Sequence, residues 1–264
     1  MRKKAVVFMA VSLAVLIFGW ATASSAQSGL SLGVIGGYYS PSFGEINDDF
    51  EEVNILYGTD LELKAGIMYG AAVNYDINPQ LRVRLEYDIF KSKTSGEGSY
   101  SYVYDSWLDG YYGWGYYWYY EDWVEETIDA EFELTTTPII LSGIYKFSPF
   151  YVGAGVGSFP TTCKSSGTLT EDYYLDEYLY DSWYGGYTYM DTYYWYTDSF
   201  DLSEEDSDSP TGFLVIAGVE LGGEKTFFNL EARYIPSLKA NFDTLGTSAD
   251  LGGFQVNLLA GFRF

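Results

Sequence analysis

Ionisable side chains recur at every second position along parts of this chain: Arg82, Arg84, Glu86 and Asp88 in one stretch, Glu231 and Arg233 in another. Glu62 and Lys64, Glu220 and Arg263 fall in the same alternation. Residues two apart on an extended strand share one face. Both signs of charge on one face favour pairing, and pairing becomes obligatory out of water, where a lone charge is costly. The chemistry this pattern supports is a salt-bridged plug or a narrow polar conduit. Imidazole chemistry is excluded, since the 264 residues contain no His for a triad, a general base or a metal site. The single cysteine, Cys163, excludes an internal disulfide framework and a thiolate zinc site. Glu125-Glu126 offers two carboxylates, but adjacency supplies no glycosidase spacing. The chain reads as a non-enzyme.

A second set of residues suits binding. Tyr-Asp-Ser-Trp occurs at 104–107 and again at 180–183, and Tyr-Tyr-Trp-Tyr at 116–119 and 193–196. The copies lie 76 and 77 residues apart, as two related hairpin loops would, and Gly185-Gly186 suits a hairpin turn. Tyr104, Trp107, Trp114, Trp118, Tyr180, Trp183 and Trp195 form a candidate loop surface. Their rings would stack on sugars or apolar ligands while neighbouring carboxylates accept hydroxyls. The plainer role of the acids is solvation that stops aromatic hairpins from aggregating. Asp201, Glu204, Glu205, Asp206 and Asp208 make the richest carboxylate run, a weak candidate for a divalent cation because it lacks calcium-loop spacing. No other cofactor is expected.

The formal charge of −23 argues against nucleic acid as a partner. Tyr (28) and Gly (29) each exceed a tenth of the chain, unlike most cytoplasmic enzymes. Residues 1–26 read as an export signal: a basic start at Arg2, Lys3 and Lys4, an apolar run, then small residues that fit cleavage after Ala23 or Ala26. No later stretch approaches the ~18–20 apolar residues of a spanning helix.

Period-two patterning fills 27–264, in eight segments near 30–43, 60–77, 81–94, 127–147, 150–159, 212–222, 226–239 and 252–264. In the fourth, the apolar parity switches between Leu134 and Ile139, and a bulge at Pro138 would explain it. Connections alternate in length. Asn78-Pro79-Gln80, Ser148-Pro149 and Gly223-Glu224-Lys225 are short, whereas 44–59, 95–126, 160–211 and 240–251 are long. These long connections hold 26 of the 37 carboxylates. Short turns at one rim and long loops at the other predict an all-β, eight-stranded antiparallel up-and-down transmembrane barrel with extracellular hairpin loops.

The segment 148–157, the segment 228–234 and a closing strand with Phe262 and Phe264 resemble the small outer-membrane β-barrel family of the OmpA, OmpX and OmpW type. The likeness implies a bacterial outer-membrane location and outer-membrane lipid as surroundings. It also implies that the terminal aromatics Phe262 and Phe264 are the signal read by the barrel-assembly machinery. The two Tyr-rich loops depart from that family, and a barrel domain at 27–264 without a peptidoglycan-binding domain is expected. The reading is a plugged barrel with a structural or adhesive surface, its expected ligand carbohydrate or another surface molecule; the alternative is a narrow channel for ions or small solutes.

Overall fold

The computed structural model describes residues 29–112, 116–181, 185–223 and 225–264; at 108–112, 116–117 and 180–181 it describes the backbone. The expected export signal, Trp114 and Trp183 lie outside these residues, as does the side chain of Tyr180. The strands are β1 (Gly29–Phe43), β2 (Gly66–Asp76), β3 (Leu81–Tyr112), β4 (Tyr116–Thr136), β5 (Ile139–Phe147), β6 (Phe150–Ser158) and β7 (Thr161–Asp181). They continue with β8 (Gly186–Asp201), β9 (Glu204–Asp208), β10 (Thr211–Gly222), β11 (Thr226–Ile235), β12 (Lys239–Phe242) and β13 (Thr247–Arg263). Every ladder is antiparallel, and the pairings close on themselves: β1–β2, β2–β3, β3–β5, β5–β6, β6–β10, β10–β11, β11–β13 and β13–β1. Beyond this circuit β3, β4, β7 and β8 continue as an outer sheet.

Three prolines sit where ring passes into outer sheet. Tyr87 pairs with Ile139 and Phe90 with Thr136, so the strand opposite β3 passes Pro138 without a slipped residue. On its other side Ile139 pairs with Ser158 and Thr136 with Thr161, again in unbroken register. Ser158 pairs with Thr211 and Thr161 with Asp208. Thus β5 and β4, β6 and β7, and β10 and β9 are long strands interrupted by Pro138, Pro160 and Pro210, each of which lacks a ladder donor. Their carbonyls still accept, from Asp88 N (3.1 Å), Thr137 N (2.8 Å) and Phe159 N (2.8 Å) respectively. The bulge expected at Pro138 is therefore absent.

The parity switch is instead an inversion of surroundings along a straight strand. Below Pro138 the exposed face carries Ile139, Tyr145 and Phe147; above it, the same face carries Glu131, Glu133 and Thr135. The interior face becomes apolar, with Ala130 and Leu134 buried and Phe132 packed beside them. β3 does the same: Leu81, Leu85 and Tyr87 give way outside to Lys91 and Lys93, while Arg82, Arg84, Glu86 and Asp88 give way inside to Phe90.

The first long connection is not an irregular loop. Glu45–Tyr57 form α1, with Glu45 and Asp48 in its first turn, where the helix dipole favours acids. Gly58 closes it in the left-handed conformation (φ 71°) and donates its N–H to Asn54 O at 2.9 Å. Ile46 and Phe50, one turn apart, are buried.

The two sequence copies are not equivalent in space. Tyr104-Asp105-Ser106-Trp107 lies well below the tip of the β3–β4 hairpin, whereas Tyr180-Asp181 ends β7 at its tip. The hairpins join edge to edge through the β4–β7 ladder rather than face to face.

Candidate functional site

Strands β3 and β11 stand opposite one another in the circuit, with three strands between them by either route. Their inward side chains meet across the interior. Arg84 Nη1 lies 2.7 Å from Glu231 Oε2 and 3.1 Å from Glu86 Oε1. Arg233 Nη1 lies 2.7 Å from Glu86 and 3.5 Å from Asp88, and Arg233 Nε pairs with Glu231. Arg84 also donates from Nε to Asn74 Oδ1 at 2.7 Å, and Tyr151 donates its hydroxyl to Glu231 at 2.7 Å. All five charged side chains are at most 1% exposed. Paired guanidinium forks are the arrangement that lets charges stay buried at tolerable cost.

A second layer lies toward the short turns. Arg82 Nε donates to Asp76 Oδ1 at 2.7 Å and its Nη1 pairs with Glu220. Glu220 also takes Arg263 at 2.7 Å, and Asp76 takes Lys146 at 2.9 Å. Phe227 lies beneath both Arg82 and Arg263, whose guanidinium carbons are 5.9 and 5.5 Å from its ring centre. A cavity of about 600 Å³ opens at this rim, lined by Asp76, Lys146, Glu220, Arg263 and Phe264 among others.

The opposite end of the interior is apolar. Tyr39, Phe43, Met68, Phe90, Leu134, Phe159, Leu214, Ile235, Phe242 and Leu251 form one buried cluster, with Ile46 and Phe50 of α1 as its lid. Tyr39 and Phe90 meet edge to face at 4.9 Å, and Phe50 packs on Phe132 at 4.6 Å. Tyr39 spends its hydroxyl on Leu251 O. Asn47 and Asn54, two turns apart on α1, each exchange two hydrogen bonds with the backbone of Leu63 and Leu61. The chain from 58 to 65 is thereby clamped to the helix.

That clamp corrects the placement of Glu62 and Lys64. They belong to this segment and not to a strand of the circuit, and they pair with each other at 3.1 Å on the surface, 54% and 63% exposed. Their alternation arises because Leu61 and Leu63 point into the apolar cluster while Glu62 and Lys64 face water. The other sequence candidates, Arg82, Arg84, Glu86, Asp88, Glu220, Glu231, Arg233 and Arg263, lie in the two layers just described. Asn74, Asp76, Lys146 and Tyr151 complete those layers. Asn74 and Asp76 share the alternation of β2, a signal present in the sequence.

The outer sheet spreads its aromatic residues over both faces. Trp107 stacks on Tyr120 (5.5 Å), and register places Trp118 on that same face. Trp123 stacks on Tyr174 (4.3 Å) on the other. Tyr104 and Trp195 lie at slips in the β3–β4 and β7–β8 registers and are 71% and 54% exposed. The candidates therefore do not form one surface. Nearby acids are used locally: Glu171 accepts the Tyr173 hydroxyl at 2.6 Å and Glu121 that of Tyr119 at 2.8 Å, each two residues along its own strand. Glu171 pushes the Tyr173 hydroxyl above its usual range, and burial together with Asp176 and Glu121 pushes Tyr178 up to about 12.

The carboxylate run 201–208 does not converge either. Asp206 accepts Thr244 N at 2.7 Å and Asp208 accepts Asn241 N at 2.9 Å, clasping β9 to the β12 hairpin. Glu205 pairs with Lys164, and Asp201 accepts Ser203 N. Among the described residues no group of three or more Asp, Glu or Cys is placed to hold a metal ion.

No protein-family model matches the chain, and no curated protein sequence matches it. Solved structures similar to it come from outer-membrane proteins. Ail, the attachment invasion locus protein of Yersinia pestis, is 11% identical with a TM-score of 0.34, over 90% of this chain and 97% of that one. An outer membrane channel from Pseudomonas putida F1 is 9% identical with a TM-score of 0.27, over 89% and 96%. The outer membrane protease OmpT of Escherichia coli is 11% identical with a TM-score of 0.23, over 90% and 95%.

Proposed function

We propose that the chain is an eight-stranded outer-membrane β-barrel with a closed interior, carrying an aromatic, acidic outer sheet in a structural or surface-binding, non-catalytic role. One observation carries this reading: both faces of the sheet invert their polarity at the proline level. Below it, Val34 (66% exposed), Ile67 (75%), Phe228 (60%) and Leu258 (65%) belong to an apolar face that follows the strands of the circuit. A belt of that extent exceeds the few hundred Å² of apolar patch that a water-soluble monomer carries. The apolar stretch of β3, from Leu81 to Ile89, is roughly 30 Å long at 3.3 Å per residue. Tilted by 35–45°, it covers roughly 20–25 Å of membrane, close to the height of an outer-membrane apolar band. Charges inside and hydrocarbon outside is the order a lipid surrounding requires.

The closed interior follows from its contents. Ions entering from the short-turn rim meet two layers of mutually neutralised charge and then an apolar cluster capped by α1. Planar-bilayer recording of the refolded protein is expected to show no steady conductance. A large, stable open level would replace the closed-barrel reading with the channel. Membrane fractionation with heat-modifiable gel migration tests the location, and a soluble periplasmic pool would overturn it.

A further inference from the structure

Just beyond the proline level, four neighbouring strands present an alternating row of exposed charges. Lys93 of β3 pairs in register with Glu133 of β4, Glu133 with Lys164 of β7, and Lys164 with Glu205 of β9. Adjacent strands lie about 4.8 Å apart, so like charges in the row repeat at roughly twice that distance. The ammonium groups pair with surface carboxylates: Lys91 with Glu133 at 2.8 Å, Lys93 with Glu131 at 2.7 Å and Lys164 with Glu205 at 2.9 Å. All three lysines are more than half exposed. Exposed pairs of this kind hold each other weakly. Beside the row opens a surface cavity of about 480 Å³, lined by Glu131, Glu133, Lys164, Ser166, Ser203 and Glu205 among others.

The height of the row decides what it meets. Below it on the same face, past Lys91 and Thr135, come Tyr87, Ile89 and Ile139 of the apolar face, so in a membrane its neighbours are lipid headgroups and not hydrocarbon or bulk water. Lys64 and Lys239 stand outside the same apolar interior cluster elsewhere around the rim, each again with one glutamate, Glu62 and Glu45. In a chain this acidic, lysines gathered at that level match phosphate, and the intervening carboxylates match the divalent ions that accompany phosphate-rich headgroups. A magnesium ion is commonly held by one or two carboxylates together with phosphate oxygens.

We propose that the Lys93–Glu133–Lys164–Glu205 row is a binding site for phosphorylated lipid headgroups, with the lysines taking phosphate oxygens and the glutamates a bridging divalent cation. This rests on the membrane placement above. The test uses the folded protein in phosphatidylcholine nanodiscs, titrated with diphosphorylated lipid A and with its dephosphorylated form, with magnesium or with chelator. At roughly fivefold per lysine beside an anionic headgroup layer, Lys93→Gln with Lys164→Gln should weaken binding of the diphosphorylated lipid by roughly thirtyfold. Glu133→Gln with Glu205→Gln should remove the magnesium enhancement and leave magnesium-free binding in place. The dephosphorylated lipid should bind like the lysine variant. Unchanged affinity in both double variants, in proteins that still migrate as folded barrels, overturns the site while leaving the membrane placement intact. Full competition by inorganic phosphate at equal concentration would show a free-anion site and overturn the lipid assignment. Failure of the wild-type chain to insert into phosphatidylcholine overturns the placement and the site together.

Discussion

Arg233 and Arg84 share Glu86 and Glu231, and Arg233 also faces Asp88, all at most 1% exposed, so each arginine is held by more than one carboxylate. Replacing Arg233 with Met conserves much of the volume but leaves three carboxylates facing one guanidinium. Removing one partner of a buried pair typically costs about 3–5 kcal/mol. Arg233→Met is therefore expected to lower the urea midpoint of the refolded protein markedly, with Arg233→Lys falling between, since lysine keeps the charge but loses the fork. Equal urea resistance in all three would show that these pairs do not brace the interior. At the chain end, Phe262 and Phe264 are 64% and 77% exposed, and Phe264 N donates to Leu30 O at 2.9 Å. The ring of Phe264 thus contributes little internal packing, consistent with a role in recognition during assembly. Deleting Phe264 should reduce the outer-membrane fraction of the protein in cells while the purified chain refolds in detergent as before. Normal membrane levels would remove the assembly-signal role.

Among the elements, α1 depends on two asparagines for its seat. Asn54 makes bonds to both polar groups of the Leu61 backbone and also accepts from Thr59. Asn54→Ala leaves backbone groups of the clamped segment unsatisfied, at a cost of about 1–3 kcal/mol. Hydrogen exchange at 58–65 should accelerate while exchange in β11 stays fixed; unchanged exchange would mean that Phe50 and Ile46 seat the helix alone. The Asp206 clasp has a pH signature. Its hydrogen bond from Thr244 N holds the carboxyl below its ordinary range, so the stability it lends is complete above that range and lost as pH falls through and below it. Protease cleavage near 243–246 should therefore rise on acidification below about pH 4, and Asp206→Asn should be cleaved at neutral pH as fast as wild type is in acid. A flat pH profile for wild type would count against the clasp.

The same elements show where sequence reading succeeds and where it stops. The segments 81–89, 150–158 and 226–235 are legible because outward and interior side chains differ sharply at each step. The outer parts of β3, β4, β7 and β8 are not, because Tyr and acids occupy both faces and erase the period-two contrast. Helix α1 hides behind its charge: only Ile46, Phe50 and Val53 mark its buried side. The inversion at Pro138 mimics a bulge, since a change of solvent and a slipped residue both reverse apolar parity. Register alone separates them. The interior charges of β3 and β11 are legible as a set, but their meeting across the circuit depends on strand order, which no local pattern encodes.

For the whole molecule, the arrangement amounts to two amphipathic layers stacked along one set of strands. The lower is apolar outside and ionic inside; the upper is polar outside and apolar inside, with α1 closing it. Site-directed labelling along the strand formed by β5 and β4 reads that boundary directly. With Cys163 replaced by Ala, single cysteines at 145, 141, 139, 135, 133 and 131 would carry nitroxides in a reconstituted bilayer. Collision with oxygen, which concentrates in lipid, should dominate at 145, 141 and 139. Collision with a water-soluble nickel complex should dominate at 135, 133 and 131, with the crossover falling at Thr137-Pro138. Nickel access at every one of the six positions, or a crossover displaced from the proline, would contradict the membrane-spanning barrel.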